Sequence, residues 1–513
     1  MKPPMQGRPA TQTDADVAPP PAVPTRLDRA VDAALANLGL RGPGAWRQGG
    51  VAVLCLAEDA FAIRAASARA AGRTLDLQYY TWRGDLTGML LAAEVLAAAD
   101  RGVVVRMLLD DVFAIGHERT LAALDTHPNI EIRLFNGTRW QRFGRLGYAL
   151  EIAFGGWHLT RRMHNKNWIA DGALALVGGR NIADEYFGLE ADGQVSFRDL
   201  DLALAGPPAA GACRVFESYW ASPLARPAAL VSAAGERRGA LVALRAEFDA
   251  AARDPRAAVL LRPLAGHPGR HIRRGLVPVA PDAVRVVADT PEKARRGLGA
   301  RKRARAAGGI AAEIADVLRE ARQEVLLISP YFVPGHAGMA LLQEMLARGV
   351  TISLVTNSLA ATDVVAVHGG YAKYRRPLLG AGVAIHELKP GPDGERPSLL
   401  GSRGGAALHT KALVVDGLAV FVGSFNLDPR SAALNTEMGA LVRNPVVARE
   451  VAREQARLTD PAVSWRLELR EGRIVWLDAT RGAERALLTE PGASWSRRAV
   501  AWLARVLPVE EQL

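Results

Sequence analysis

HNKNWIAD at 164–171 and HTKALVVD at 409–416 each set a histidine, a lysine two residues on and an aspartate five further, at identical spacing and 245 residues apart. A glycine-containing turn ending in asparagine follows each copy: GGRN closes on Asn181 and GSFN on Asn426. Both copies keep this register in a chain with only ten histidines, which rules out a coincidence of composition. WIAD and ALVVD are apolar and partly β-branched and predict strands. Residues i and i+2 of a strand face the same way, so His164 projects beside Lys166, and His409 beside Lys411.

These residue types suit a phosphodiester. Its negative charge grows on the non-bridging oxygens during attack, where two lysines and two asparagines can surround it with fixed donors. Two imidazoles, titrating near neutral pH, divide the remaining work: one attacks phosphorus and the other protonates the leaving oxygen. The chemistry calls for no metal and no cofactor. Asp171 and Asp416, which complete the motif, are expected to support their strands and the lysines. A carboxylate also recurs. Glu437 lies eight residues before Pro445, and Asp199 eight before Pro207. Either can bond the far ring nitrogen of a histidine and fix its tautomer. Asp201 competes with Asp199 for the first histidine.

The duplicated HxKx4D resembles the signature of the phospholipase D superfamily. RRMHNKNWIADGALALVGGRNIADEYF, TNSLAATDVVAVHGGYAKYRRPLLGAGVAIHELKP, SFNLDPRSAALNTEMG and the terminal LPVEEQL are similar to the bacterial cardiolipin synthases of the C type. The similarity runs from about residue 50 to the C-terminus. It implies a two-step, metal-independent transfer through a phosphohistidine, with the first-motif histidine, His164, attacking. It also implies phosphatidylglycerol as acceptor, and phosphatidylethanolamine or a second phosphatidylglycerol as donor.

The motifs sit in a larger repeat. ASARAAGRTLDLQYYTW and GMLLAAEVLAAADRGVVVRMLLDD are answered by AEIADVLREARQEVLLISPYFVP and GMALLQEMLARGVTISLVTNS. Strand–helix–strand order predicts two α/β lobes, each a largely parallel or mixed sheet flanked by helices, related by a pseudo-twofold axis with the histidines across the interface. The expected division is a Pro-rich tail (1–25), a first lobe (26–225), a connector with a basic loop (226–305) and a second lobe ending in a hairpin and an amphipathic helix (306–513).

At 513 residues, 49% apolar and 23% charged, the chain reads as globular, and its net charge of +11 suits an anionic partner. Cys55 and Cys213 lie in apolar runs and read as reduced thiols. The N-terminus lacks the apolar core of a signal peptide, and no window is long and apolar enough to span a bilayer. A lipid substrate is therefore reached from the membrane surface, expected to be the cytoplasmic face of a bacterial membrane, with phospholipids rather than nucleic acid as partners. Segment 137–162 interleaves aromatics with arginines, and so does SWSRRAVAWLARVLP in part, while 292–309 is a dense basic loop without aromatics that reads as a solvated linker or as a contact with phosphate headgroups. The two aromatic segments read either as membrane contact or as ordinary packing, and docking onto its own lobe is preferred for SWSRRAVAWLARVLP. His368, Tyr371, Tyr374 and Arg375 follow a strand end at near-helical spacing and are candidates to line an acceptor pocket. Tyr80, Trp82 and Tyr331 sit at equivalent strand ends near the mouth. His117, His127, His158, His267, His271, His336 and His386 have no partner at meaningful spacing. A membrane-surface phosphatidyltransferase, a hydrolytic phospholipase D and a nuclease all fit this chemistry, and the length of the similarity favours the first.

Overall fold

A computed structural model describes residues 23–39, 48–114, 118–137, 160–189, 195–228, 239–264, 269–280, 282–295, 308–391, 405–480 and 484–506. The N-terminal tail, most of segment 137–162, most of the basic loop and the terminal LPVEEQL lie outside them.

Two large sheets carry the repeat. In the first, Asp201–Ala205, Leu174–Gly178 and Lys166–Ala170 run antiparallel, and Lys166–Ala170 pairs antiparallel with Thr74–Tyr79. Thr74–Tyr79, Val104–Asp110 and Ile130–Phe135 then run parallel. The second sheet repeats this order with Met438–Arg443, Ala419–Gly423, Ala412–Val415, Glu324–Ile328, Thr351–Asn357 and Ala384–Leu388. Each lobe is therefore a mixed sheet, parallel where helices Leu86–Asp100 and Gly335–Ala347 supply crossovers. Within the stretch read as a connector, Val277–Val279 extends the first sheet and Val284–Ala288 the second. Edge strands this short carry too little periodicity to be legible in sequence.

The motif segments are two arms of hairpins. Asp171–Gly172 and Asp416–Gly417 all have positive φ (52°, 68°, 51° and 61°), and Ala173 and Leu418 donate back to Ala170 and Val415. This is the I′ turn that Asp-Gly favours. The asparagine-ended turns follow at the other end of each hairpin.

The sheets pack face to face. Val177, Leu202 and Ile169 from the first share one buried core with Val414, Val420 and Val442 from the second. Separate cores fill the outer faces under the helices. Two short parallel pairings also stitch the lobes. Gly405–Leu408 runs beside Val195–Arg198, and Met163 bridges Thr436. The C-terminal hairpin, Ser464–Arg470 with Arg473–Asp478, extends the second sheet. The C-terminal helix, Trp495–Val506, does dock on its own lobe, but through Arg497, Ala501 and Ala504, the face opposite its tryptophans.

Candidate active site

Register places the two half-sites at one edge. Lys166 pairs with Tyr79 at the carboxyl end of its parallel strand, and Ala412 with Ile328 at the equivalent end in the second lobe. The histidines precede these pairs and lie at the lobe interface. His164 N–H donates to Thr436 O at 2.8 Å, and His409 N–H to Arg198 O at 2.8 Å. Each acceptor immediately precedes the recurrent carboxylate of the opposite lobe, so the interface obeys the pseudo-twofold.

That crossing decides the carboxylate partners. Glu437 of the second lobe faces His164 Nδ1 at 2.8 Å, and Asp199 of the first lobe faces His409 Nδ1 at 2.5 Å. Neither Asp199 nor Asp201 orients the first histidine, contrary to the expectation that a lobe serves its own imidazole. Asp201 instead forms a fully buried pair with Arg64 at 2.9 Å. Spacing within one repeat cannot reveal an exchange that happens between repeats.

The two carboxylates are held differently. Ser424 Oγ donates to Glu437 Oε2 at 2.5 Å, and Glu437 N donates to Asp289 at 3.0 Å. The position matching Ser424 is Gly179, where a Cβ would fall 2.2 Å from Asp199 Oδ1. Only glycine lets Asp199 approach so closely.

Electrostatically the site is a buried, mutually balanced set. Burial is the leading influence on both imidazoles: it lowers His164 to about 4 and His409 to about 3 despite their carboxylates, so both are neutral in the empty site. Burial would raise Asp199, but His409 and Lys411 outweigh it and bring it to about 2. Glu437 is likewise lowered, burial being overcome by His164 and Lys166. Lys411 is pushed down to about 8, first by burial, and Lys166 well below its usual range for the same reason. Lys166 Nζ donates to His164 O at 2.7 Å, and Lys411 Nζ to His409 O. Each lysine thereby ties to its own histidine's backbone.

Asp171 and Asp416 do not reach this set, nor do they support the lysines. Each lies at the far end of its strand, five residues or roughly 16 Å from its lysine. Asp171 accepts from the backbone N–H of Gly72, Arg73 and Thr74 and from Thr25 Oγ1. Asp416 accepts from the N–H of Arg322, Gln323 and Glu324. Both brace the entry of the neighbouring parallel strand.

The acceptor-pocket candidates are also corrected. Tyr371 is buried and donates to Glu387 at 3.0 Å. Arg375 lies 2.7 Å from Glu387 and also pairs with Glu490, with His368 at 2.5 Å. This cluster fastens helices Val365–Ala372 and Arg375–Gly380 to the sheet, and Tyr374 packs against the same core. Helical spacing signalled a shared face, and that face points inward. Tyr80 does reach the site: its ring lies edge-on to His164 at 5.0 Å with Lys166 Nζ 5.2 Å from its centroid. Trp82 stacks on Trp168, and Tyr331 donates to Asp363 at 2.7 Å.

Asn181 Oδ1 accepts from Thr81 N at 3.2 Å, while its amide donates to Tyr186 Oη at 2.9 Å. Asn426 Oδ1 is buried with no hydrogen-bond partner. Tyr186 went unread in the sequence. Its hydroxyl stands 3.4 Å from His409 Nε2, the nitrogen turned away from Asp199. Among the described residues no comparable hydroxyl bonds His164 Nε2. The one available signal was an aromatic five residues after a motif asparagine, which is weak alone.

Comparison with known proteins shows the family to which the two repeats belong. Residues 65–204 and 314–459 match the domain family described as "Cardiolipin synthase, PLD-like domain". Cardiolipin synthase C of Escherichia coli is 40% identical over 88% of this chain and 93% of its own length. Cardiolipin synthase A of Pseudomonas aeruginosa is 26% identical over 78% of this chain and 65% of its own. A solved phosphatidylserine synthase from Haemophilus influenzae shares the fold over 94% of this chain and 100% of its own, with a TM-score of 0.57 at 14% identity.

Proposed function

We propose, from the premise that this chain belongs to the phospholipase D superfamily and is an enzyme of its PLD-like cardiolipin synthase family, that it is a phosphatidyltransferase making cardiolipin. The observation that carries this reading is the convergence of two His–Lys half-sites, each imidazole backed by the other lobe's carboxylate. Kinship with cardiolipin synthases over nearly the whole chain favours lipid over nucleic acid as substrate.

In the first half-reaction His164 Nε2 attacks the phosphorus of a donor phospholipid. The bond from phosphorus to the headgroup oxygen breaks, and His409, entering as imidazolium, gives that oxygen its proton. The arriving phosphate anion and Asp199 together favour the proton that the empty site disfavours. In the second half, the hydroxyl of phosphatidylglycerol loses its proton to His409 and attacks the phosphohistidine, and the P–N bond breaks. Glu437 accepts His164 Nδ1–H and stabilises the positive charge the ring acquires. Lys166 and Lys411, with Asn181 and Asn426, offset the charge developing on the phosphoryl oxygens. Among the described residues no helix is long and apolar enough to cross a membrane.

The test incubates purified protein with labelled phosphatidylglycerol, with and without phosphatidylethanolamine, and resolves the lipids. Cardiolipin is expected, and the donor is read from which headgroup alcohol is released. Phosphatidic acid alone would mean that water is the acceptor. Unchanged lipid alongside cleavage of a nucleic-acid phosphodiester would sink the reading.

A further inference from the structure

The C-terminal helix, WSRRAVAWLARV, contains three arginines and no acidic residue. Its inner face is fixed. Arg497 is fully buried, and its guanidinium donates to Leu359 O at 2.9 Å and Thr362 O at 2.5 Å. Against helix Val365–Ala372 the approach is close enough that a Cβ on Gly369 would meet Ala501 O at 2.5 Å. The opposite face is open: Trp495 is 82% exposed, Trp502 62%, Leu503 50% and Val506 57%. At about 100° per residue these four fall within one narrow arc, with Arg498 and Arg505 along its border. Val364, at the start of the supporting helix, is also exposed.

Two indoles held in water on a firmly seated helix mark a contact surface. A second copy of the chain fits poorly. A twofold contact through this face is isologous and would set arginines against arginines with no acid on the helix to pair them. An anionic bilayer fits. Tryptophan prefers the headgroup boundary, and arginine can reach lipid phosphate beside it. The seating adds a reason. Leu359 and Thr362 belong to the segment leaving the carboxyl end of Thr351–Asn357, where Asn357 exchanges both hydrogen bonds with Leu408, next to His409. The helix thus stands on the strand edge that carries the candidate site.

We propose that the C-terminal helix seats this protein on an anionic phospholipid bilayer, with Trp495, Trp502, Leu503 and Val506 in the headgroup boundary and Arg505 on lipid phosphate. Arg498, one of whose N–H groups donates to Glu490 O at 2.7 Å, offers its remaining N–H groups beside it. This rests on the lipid-directed reading of the site. The test compares the full chain with Trp495→Ser/Trp502→Ser, whose side chains are mostly exposed and belong to none of the buried core clusters, after matching their thermal melts. Co-sedimentation uses vesicles of phosphatidylcholine with and without phosphatidylglycerol. Turnover is measured on those vesicles and on short-chain phosphatidylglycerol below its micellar concentration. The parent should prefer the anionic vesicles, and the variant should bind them at least ~tenfold more weakly. Turnover should fall on vesicles and persist on monomeric lipid. Equal vesicle binding by parent and variant overturns the proposal. So does an equal loss of turnover on both substrates, or a parent dimer that the variant dissolves with vesicle binding intact. Absence of all lipid turnover by the parent would refute the proposed chemistry, while the binding comparison would still decide the docking.

Discussion

Asp199→Asn should damage the second lobe's histidine although the substitution lies in the first lobe. Asp199 Oδ1 accepts from Leu200 N at 2.8 Å, so an asparagine keeps its oxygen there and turns its amide toward His409 Nδ1, where Oδ2 sat at 2.5 Å. The amide donates, so the imidazole must accept at Nδ1 and carry its proton on Nε2. His409 then loses the anion that stabilises its imidazolium. A hydrogen bond to a charged group is worth about 1.5–3 kcal/mol, or roughly 10–150-fold. The forced tautomer adds to this, and the comparable change in a serine-protease triad costs about 10⁴-fold. We expect kcat/KM to fall by ~10²–10⁴. Glu437→Gln should do the same to His164. The assay is a double-mutant cycle on purified protein, run with natural lipid and with a p-nitrophenyl phosphodiester whose leaving group needs little protonation. Asp199→Asn should be strongly non-additive with His409→Ala, nearly additive with His164→Ala, and largely rescued by the activated leaving group. Glu437→Gln should show the opposite couplings and little rescue. Coupling of Asp199 to His164 instead of His409 would refute the crossed arrangement. Equal rescue of both mutants would refute the division of labour between the histidines.

His409 is neutral in the empty site yet enters as imidazolium, so kcat/KM should already fall as pH rises, and loss of the Lys411 ammonium should steepen that fall through about 8; a slope unchanged to pH 9.5 would show that the lysine's charge is not used. Acidification should destabilise the fold, because the unfolded histidines bind protons below 6.5 while buried His164 and His409 resist them until about 4 and 3, and chemical denaturation between pH 6.5 and 5.5 should show a loss of roughly 1–3 kcal/mol that shrinks in His409→Gln. Asp171→Ala strips an acceptor from three backbone N–H groups and should cost about 2–4 kcal/mol in urea unfolding, with turnover of the folded enzyme within a few-fold of the parent. Tyr186→Phe removes the hydroxyl beside His409 Nε2 and should lower kcat with little change in KM, by roughly tenfold, as one neutral hydrogen bond allows; an unaltered pH–rate profile and kcat would exclude a positioning role.

The sequence alone determined the half-sites and the lobe plan. Residues i and i+2 of a strand share a face whatever surrounds them, so His164 with Lys166 and His409 with Lys411 were legible from alternation. The αβ order of the two repeats pointed to largely parallel or mixed sheets with crossover helices, because parallel neighbours require them, and the structure decided for mixed. Only the tertiary structure decided which carboxylate serves which histidine. Asp199 and Glu437 were both found by spacing, but each bond crosses the lobe interface, and spacing within one lobe carries no information across it. The same limit governed direction. Helical periodicity grouped Tyr371 with Arg375, and Trp495 with Trp502, yet periodicity reports only that side chains share a face. The lobe core took the first pair inward to Glu387 and Glu490. The close approach of Gly369 to Ala501 turned the second pair out to solvent.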